Sequence, residues 1–280
     1  METIIGLGKT GCAIADHFAS YDQYNIYKIG LGLKGLKKNG VYDFPKQANP
    51  EEYEARCPSM KNFFKNCSGE VLFIVDGSEE ISAATLRILE NVKKKNCHIS
   101  ILYIKQDMEY FSNLSQMTNR IAFNVLQEYT RSAVFDRIFL VDLLNIEHLV
   151  EHAPLAQQSQ AAYEAIVSTL HMINVYNHID SVTDTFSDPP ETARIATIGY
   201  GQFERDLSYF FTLDKTREIR YYYGINKERL DSEKGLLKKI KAQLKENNQE
   251  GIKASYGIYS TNYEQDYVYT LALSSEIQEG

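Results

Sequence analysis

Short apolar runs and amphipathic stretches alternate through the first half of the chain. Thr3–Ile5 reads as a buried strand feeding a helix over Gly11–Ser20, with a second strand at Asn25–Ile29. Residues 30–69 are rich in Gly, Lys, Asn and Pro and predict a long, loop-rich connection. Val71–Val75 is wholly apolar, as a central strand of a parallel sheet must be when both faces are covered. Ile81, Ala84, Ile88 and Val92 then recur at helical spacing. Strand Ile99–Ile104, a helix over Arg120–Tyr129 and strand Arg137–Val141 complete an alternation that implies a doubly wound α/β sheet.

The pattern changes beyond residue 154. Residues 155–177 predict one long helix with Ala162, Ile166, Leu170 and Ile173 along a stripe. An α+β segment follows, with strands near Arg194–Gly199 and Glu218–Tyr223 and an amphipathic helix over 231–247. Two further strands, Ile252–Tyr259 and Tyr267–Leu273, flank the polar run 260–266 and read as a hairpin. The expected organisation is a Rossmann-like domain over 1–154, a connecting helix over 155–177 and an α+β domain over 178–280.

Candidate chemistry concentrates at two glycine turns. Gly6-x-Gly8-Lys9-x-Gly11 runs from a strand into a helix, which aims backbone N–H groups and a positive helix end at one point where a phosphate can sit. As a dinucleotide fingerprint it lacks an acid at the end of the second strand, which closes on Tyr27-Lys28-Ile29. The same residues resemble the opening of muramyl peptide ligases, but the chain has no G-x-x-x-x-G-K-[ST] loop to bind ATP. A glycine turn kept only for tight strand–helix packing explains the run equally well. The second turn, Asp76-Gly77-Ser78-Glu79-Glu80, follows the central strand and is dominated by carboxylates.

Ile252–Tyr259 and Asp266–Leu273 are similar to the closing strands of the tubulin/FtsZ superfamily, where I-x-F-G-x-x precedes D-x-V-x-V-T-V-I-A. Arg120-Ile121-Ala122-Phe123 resembles the family's R-M-x-F run, and Val175–Phe186 resembles the segment holding its catalytic acid loop. Gly6, Gly8 and Gly11 fall where the family's first glycine loop does. The resemblance spans nearly the whole chain in order. It implies a Rossmann-like doubly wound sheet, a long central helix and a smaller α+β domain, with GTP or GDP and Mg as the family's ligands.

The departures from that pattern are systematic. Of the family's G-G-G-T-G-[ST]-G phosphate loop only Gly77 and the neighbouring Ser78 remain. Glu79 and Glu80 occupy what reads as the first turn of the next helix, where they complement its dipole and repel a phosphate at a cost of about 1–4 kcal/mol per contact. The family's ribose-binding acid falls at Val125, and its base-reading residue falls near Ala161, with Gln160 the nearest substitute. The two catalytic aspartates align with His178 and Ser181. Asp180 is one residue away and Asp184 lies further on. Were a nucleotide bound, the resemblance assigns Gly6, Gly8, Lys9, Gly11, Gly77, Ser78 and Gln160 to it, and Asp180 and Asp184 to catalysis. His178 with Asp180 is a candidate base and orienter. No metal-ligand set completes itself around Glu79 and Glu80.

Composition narrows the classes. A net charge of −7 over 280 residues argues against general nucleic-acid binding. Cys12, Cys57, Cys67 and Cys97 lack metal-ligand spacing and read as reduced thiols of a cytosol-like compartment. Neither a signal peptide nor a membrane span is expected. The expected function is a non-catalytic tubulin-like assembly protein that binds nucleotide weakly or not at all and has itself or other protein subunits as partners. Such divergence in a small fold suggests a virus or mobile element, placing it in a cytoplasm, a host cytoplasm or a virion. The alternatives are an active GTPase forming filaments, with Asp180 supplied across a subunit interface, and an α/β enzyme that uses Gly6–Gly11 for another nucleotide. Tyr221–Tyr223 and the Lys-rich helix over 234–245 are the candidate self-association surfaces, and Leu237, Ile240 and Leu244 its packed face.

Overall fold

The computed structural model describes residues 1–33, 40–247 and 250–279. The chain divides into two compact units, Met1–Val167 with Ile277–Gly280, and Ser168–Glu276.

In the first unit the strands are β1 (Thr3–Leu7), β2 (Asn25–Gly30), β3 (Val41–Asp43), β4 (Glu70–Asp76), β5 (His98–Lys105) and β6 (Arg137–Asp142). They lie in the order β3-β2-β1-β4-β5-β6, every pair parallel. Successive strands are added to one side of β1 up to β3 and to the other side from β4 onward, and in open α/β sheets ligands bind beyond the carboxyl ends of the strands at such a switch point. The helices are α1 (Gly8–Phe18), α2 (Pro50–Ala55), α3 (Thr85–Lys93), α4 (Asn113–Arg131) and α5 (Leu143–Val150). Helix α6 (Gln158–Tyr176) begins in this unit and ends in the second.

Several boundaries depart from expectation for local reasons. Helix α1 starts at Gly8, three residues early, because Gly8 turns the chain with φ +78°. The 30–69 connection contains β3 and α2, the latter started by the Asn49 side chain accepting from Glu52 N with Pro50 at the first helical position. Its residues 34–39 lie outside the described residues. The helix expected from Ile81 opens as a 3₁₀ turn, Glu80–Ala84, before α3. Helix α4 begins at Asn113, where the Ser112 hydroxyl accepts from Ser115 N.

The second unit holds β7 (Thr183–Asp184), β8 (Ile195–Gln202), β9 (Ser208–Tyr209), β10 (Thr216–Asn226), β11 (Lys253–Thr261) and β12 (Tyr267–Ser274). Helices α7 (Lys227–Ser232) and α8 (Leu236–Asn247) stand where one helix over 231–247 was expected, separated at Gly235 with φ +84°. The strand order is β8-β12-β10-β11-β7, with β9 on β8. The expected hairpin does not form. β10 lies between β11 and β12, parallel to the first through a crossover made by α7 and α8, and antiparallel to the second.

The central position of β10 also removes the expected aromatic anchor. Tyr221, Tyr222 and Tyr223 are all buried. Tyr221 and Tyr223 pack with Leu236, Ile240 and Leu244 under α8. Tyr222, on the opposite face, stacks on Tyr176 and lies 5.0 Å from Phe186. Leu236, not Leu237, joins the packed face of α8, because spacings of four place Leu236, Ile240 and Leu244 on one stripe.

Candidate functional site

The carboxyl ends of β1 and β4 bring the two glycine turns together. Gly6 and Gly11 serve close packing: a Cβ on Gly6 would lie 2.2 Å from the Gly11 carbonyl oxygen, and one on Gly11 2.7 Å from that of Ile74. Both keep α1 tight against the sheet.

Helix α1 has no side-chain cap from its own N-terminal residue, Leu7. Its exposed amides are taken by a carboxylate 70 residues away. Glu79 Oε2 accepts from Lys9 N at 2.7 Å, and Glu79 Oε1 accepts from Thr10 N at 2.8 Å. A Cβ on Gly8 would lie 2.3 Å from the same carboxylate, so this glycine is what admits it. The positive end of α1 therefore already holds an anion, which the chain itself supplies. Glu79 and Glu80 are not equivalent, and Glu79 does not complement the helix that follows it. Glu79 precedes the 3₁₀ turn and reaches α1, whereas Glu80 is exposed on the turn itself.

Asp76 supports this arrangement from below. Its Oδ1 accepts from Ser78 N at 2.9 Å and Ser78 Oγ at 2.6 Å, and its Oδ2 accepts from Thr10 Oγ1 at 2.9 Å and Gln106 Nε2 at 2.7 Å. Thr10 joins the two carboxylates, its amide on Glu79 and its hydroxyl on Asp76. Tyr163 of α6 completes the cluster through Thr10, and burial raises its phenol above the ordinary value. Burial likewise raises the Glu79 carboxyl above the ordinary carboxylate value, outweighing the two amide hydrogen bonds that act the other way.

Beside it, the surviving glycine of the second turn faces side chains. A Cβ on Gly77 would lie 1.9 Å from the Tyr103 hydroxyl, which donates to Asn119 Oδ1 at 2.6 Å. Ser78 is buried, with both its amide and its hydroxyl directed to Asp76. Of the residues assigned to a nucleotide, the structure gathers Gly6, Gly8, Lys9, Gly11, Gly77 and Ser78 at this end of the sheet. Lys9 is exposed there, and Gln160 is exposed in the first turn of α6.

The residues assigned to catalysis lie in the second unit. Asp180 is exposed in the segment after α6, and Asp184 lies in edge strand β7, accepting from Ser181 Oγ at 2.5 Å and Phe186 N at 3.3 Å. The Nδ1 of His178 sits 2.7 Å from the carbonyl oxygen of Asn174, one helical turn back, so its ring is oriented by backbone. Among the described residues no group of three His, Cys, Asp or Glu side chains is placed to hold a metal ion, and no helix is long and apolar enough to cross a membrane.

Tyr103, Gln106, Asn119 and Tyr163 were not singled out from the sequence. Their partners lie from 16 residues away, Tyr103 to Asn119, to 153, Tyr163 to Thr10, where no fixed spacing links them. The one available signal was Glu79 itself, an acid at a position where a phosphate loop needs bare backbone.

No family model matches the sequence, and no curated protein matches it. Solved structures do. A GTPγS-form protofilament of TubZ from Bacillus thuringiensis serovar israelensis superposes with a TM-score of 0.70 at 13% identity, over 97% of this chain and 86% of that one. CetZ2 from Haloferax volcanii, a GTPγS-bound protofilament, gives 0.67 at 13%, over 98% and 92%. An empty FtsZ dimer from M. jannaschii gives 0.67 at 11%, over 98% and 88%. The fold is that of the tubulin/FtsZ superfamily.

Proposed function

We propose that the chain is a tubulin-fold assembly subunit whose phosphate position is filled by its own Glu79 carboxylate, and which associates with itself or with other protein subunits without a requirement for GTP or GDP. The observation that carries this reading is the seating of Glu79 on the amides of Lys9 and Thr10. A phosphate entering there must displace two charge-assisted hydrogen bonds of about 1.5–3 kcal/mol each, offset in part by hydration of the freed carboxylate. If Glu79 stays, two like charges about 4 Å apart repel by about 4 kcal/mol at an intermediate dielectric. The names of the similar structures, a protofilament of TubZ, one of CetZ2 and a dimer of FtsZ, support assembly as the mode of action. The setting is the cytoplasm of a cell or, for a virus-encoded chain, of its host.

Isothermal titration with GTP and Mg tests the nucleotide half of the reading. The wild type is expected to bind no tighter than about 1 mM, equivalent to roughly 4 kcal/mol. Glu79→Gly should bind at least tenfold more tightly, while Glu80→Gly should not differ from wild type. Micromolar binding by the wild type overturns the reading. Polymers that require GTP and that Asp180→Arg abolishes would make the chain an active GTPase instead.

A further inference from the structure

Helix α4 carries two apolar stripes, and only one is used by its own unit. Phe123, Leu126 and Thr130 are buried, whereas Leu114, Met117 and Ile121 face outward at spacings of three and four. Met117 is 62% exposed and Ile121 52%. This second stripe, with Val125 and with Leu86 of α3, floors a groove of about 270 Å³. Its rim at α2 carries Glu51 and Glu54, the latter also in an exposed ion pair with Arg87 at 3.7 Å. The space is small for a drug-sized ligand and suits an inserted aliphatic side chain.

The second unit presents the complementary surface. On α8 and the turn before it, Lys234, Leu237, Lys238, Lys241 and Lys245 are all exposed, and the last four fall within about a third of the helix circumference. Lys239 is engaged by Glu204 and Glu233, but the salt bridges of the described residues do not involve the other four lysines. The stripe is thus three available cations around one leucine, 44% exposed, with Lys234 in the turn before it. An apolar groove with two glutamates on its rim faces solvent in one unit, and an apolar side chain ringed by lysines faces solvent in the other.

We infer that α8 of one copy docks in the α4 groove of a second copy, Leu237 entering between Met117 and Ile121 while Lys238 and Lys241 meet Glu51 and Glu54. The inference rests on the reading of the chain as an assembly subunit, and it names the surfaces. Donor and acceptor are different patches, so the contact is heterologous and every subunit can both give and receive one. Stable protein–protein interfaces bury about 1,200–2,000 Å², and one helix in one groove lies at the low end of that range. A single contact is therefore weak, and its charged rim makes it sensitive to salt.

Sedimentation velocity of the full chain without nucleotide, at low and at moderate salt, tests this. The wild type should self-associate, and more weakly as salt rises. Leu237→Asp and Ile121→Asp should each raise the apparent dissociation constant at least tenfold. Circular dichroism and thermal midpoints verify folding, since both side chains are exposed. The pair Glu51→Lys, Glu54→Lys should be defective alone, as should Lys238→Glu, Lys241→Glu. Mixing the two proteins should restore association, a result that misfolding of either cannot produce. Self-association unchanged by Leu237→Asp and Ile121→Asp overturns the inference and leaves the assembly reading standing. A wild type that stays monomeric under all conditions overturns the inference and the self-association half of the assembly reading, leaving only association with other subunits.

Discussion

Two clusters of carboxylates in this protein are held by opposite means. In the first unit Asp76 and Glu79 are held by amides, hydroxyls and the Gln106 amide group, with no ion pair among the described residues. In the second unit Arg229 contacts Glu204, Glu233 and Asp266, Lys239 bridges Glu204 and Glu233, and the Arg229 guanidinium lies 4.9 Å from the centre of the Phe203 ring. The electrostatic outcomes diverge accordingly. Burial pushes the Glu79 carboxyl up, whereas hydrogen bonds from Arg229 and Lys239 hold Glu204 low and bring Glu233 down to about 2. A cation-paired cluster balances most of its charge within itself, here two cations against three carboxylates. A carboxylate held by a helix N-terminus occupies a position that a ligand anion would otherwise claim, and this is why the first cluster bears on function and the second on stability.

The largest expected effect comes from removing the acceptor on which the first cluster hangs. Asp76 is 2% exposed and accepts four hydrogen bonds. Asp76→Ala leaves buried donors on Ser78 and Thr10 without an acceptor, and should cost about 3–4 kcal/mol. Urea unfolding measures it, and a loss under about 1 kcal/mol would show that water replaces the carboxylate at little cost. Arg229→Ala should cost less, about 2–3 kcal/mol. Glu204 and Glu233 can rehydrate once the arginine is gone, and only Asp266, with a 6% exposed side chain, stays buried. Asp266 also keeps its hydrogen bond from Asn226 N at 2.6 Å. If Arg229→Ala proved the more damaging change, the contrast between cation-paired and amide-held clusters would fail.

The sequence made the first unit legible because its signals are local and redundant. Val71–Val75 reads as a doubly covered strand, and the helices of the α/β alternation repeat at helical spacing. The second unit misled where pairing is not local. Two strands separated by a polar loop predict a hairpin, yet β10, which precedes both, inserts between them. That insertion also buries Tyr222, whose outward face on an edge strand would have been exposed. At the candidate site the residue types were readable but their partners were not. Glu79 was recognisable as hostile to phosphate, but its seat on Lys9 N and Thr10 N depends on the adjacency of β1 and β4, which only the folded sheet creates.

The smallest effect, and the most direct on the comparison, is the pH dependence of stability. A carboxyl whose folded value is raised contributes stability that is complete below its unfolded value, near pH 4.5, and is lost as pH rises through the folded value. Glu79 thus makes the native state less favourable on going from acid toward neutrality. Glu233 acts in the reverse sense: its contribution is present above about pH 4.5 and is lost as pH falls toward its folded value of about 2. Calorimetric midpoints from pH 2 to pH 7 separate the two. Glu233→Gln should flatten the acid limb between pH 4.5 and 2, by little, because the group is solvent-exposed and screened. Glu79→Gln carries a constant penalty for the altered cap, so the informative quantity is its slope relative to wild type. The variant should recover ground on wild type as pH rises above 4.5, whatever its offset. Parallel curves there would mean that the two amides offset the burial of Glu79, and the carboxylate would then be a satisfied cap indistinguishable in character from the ion-paired cluster.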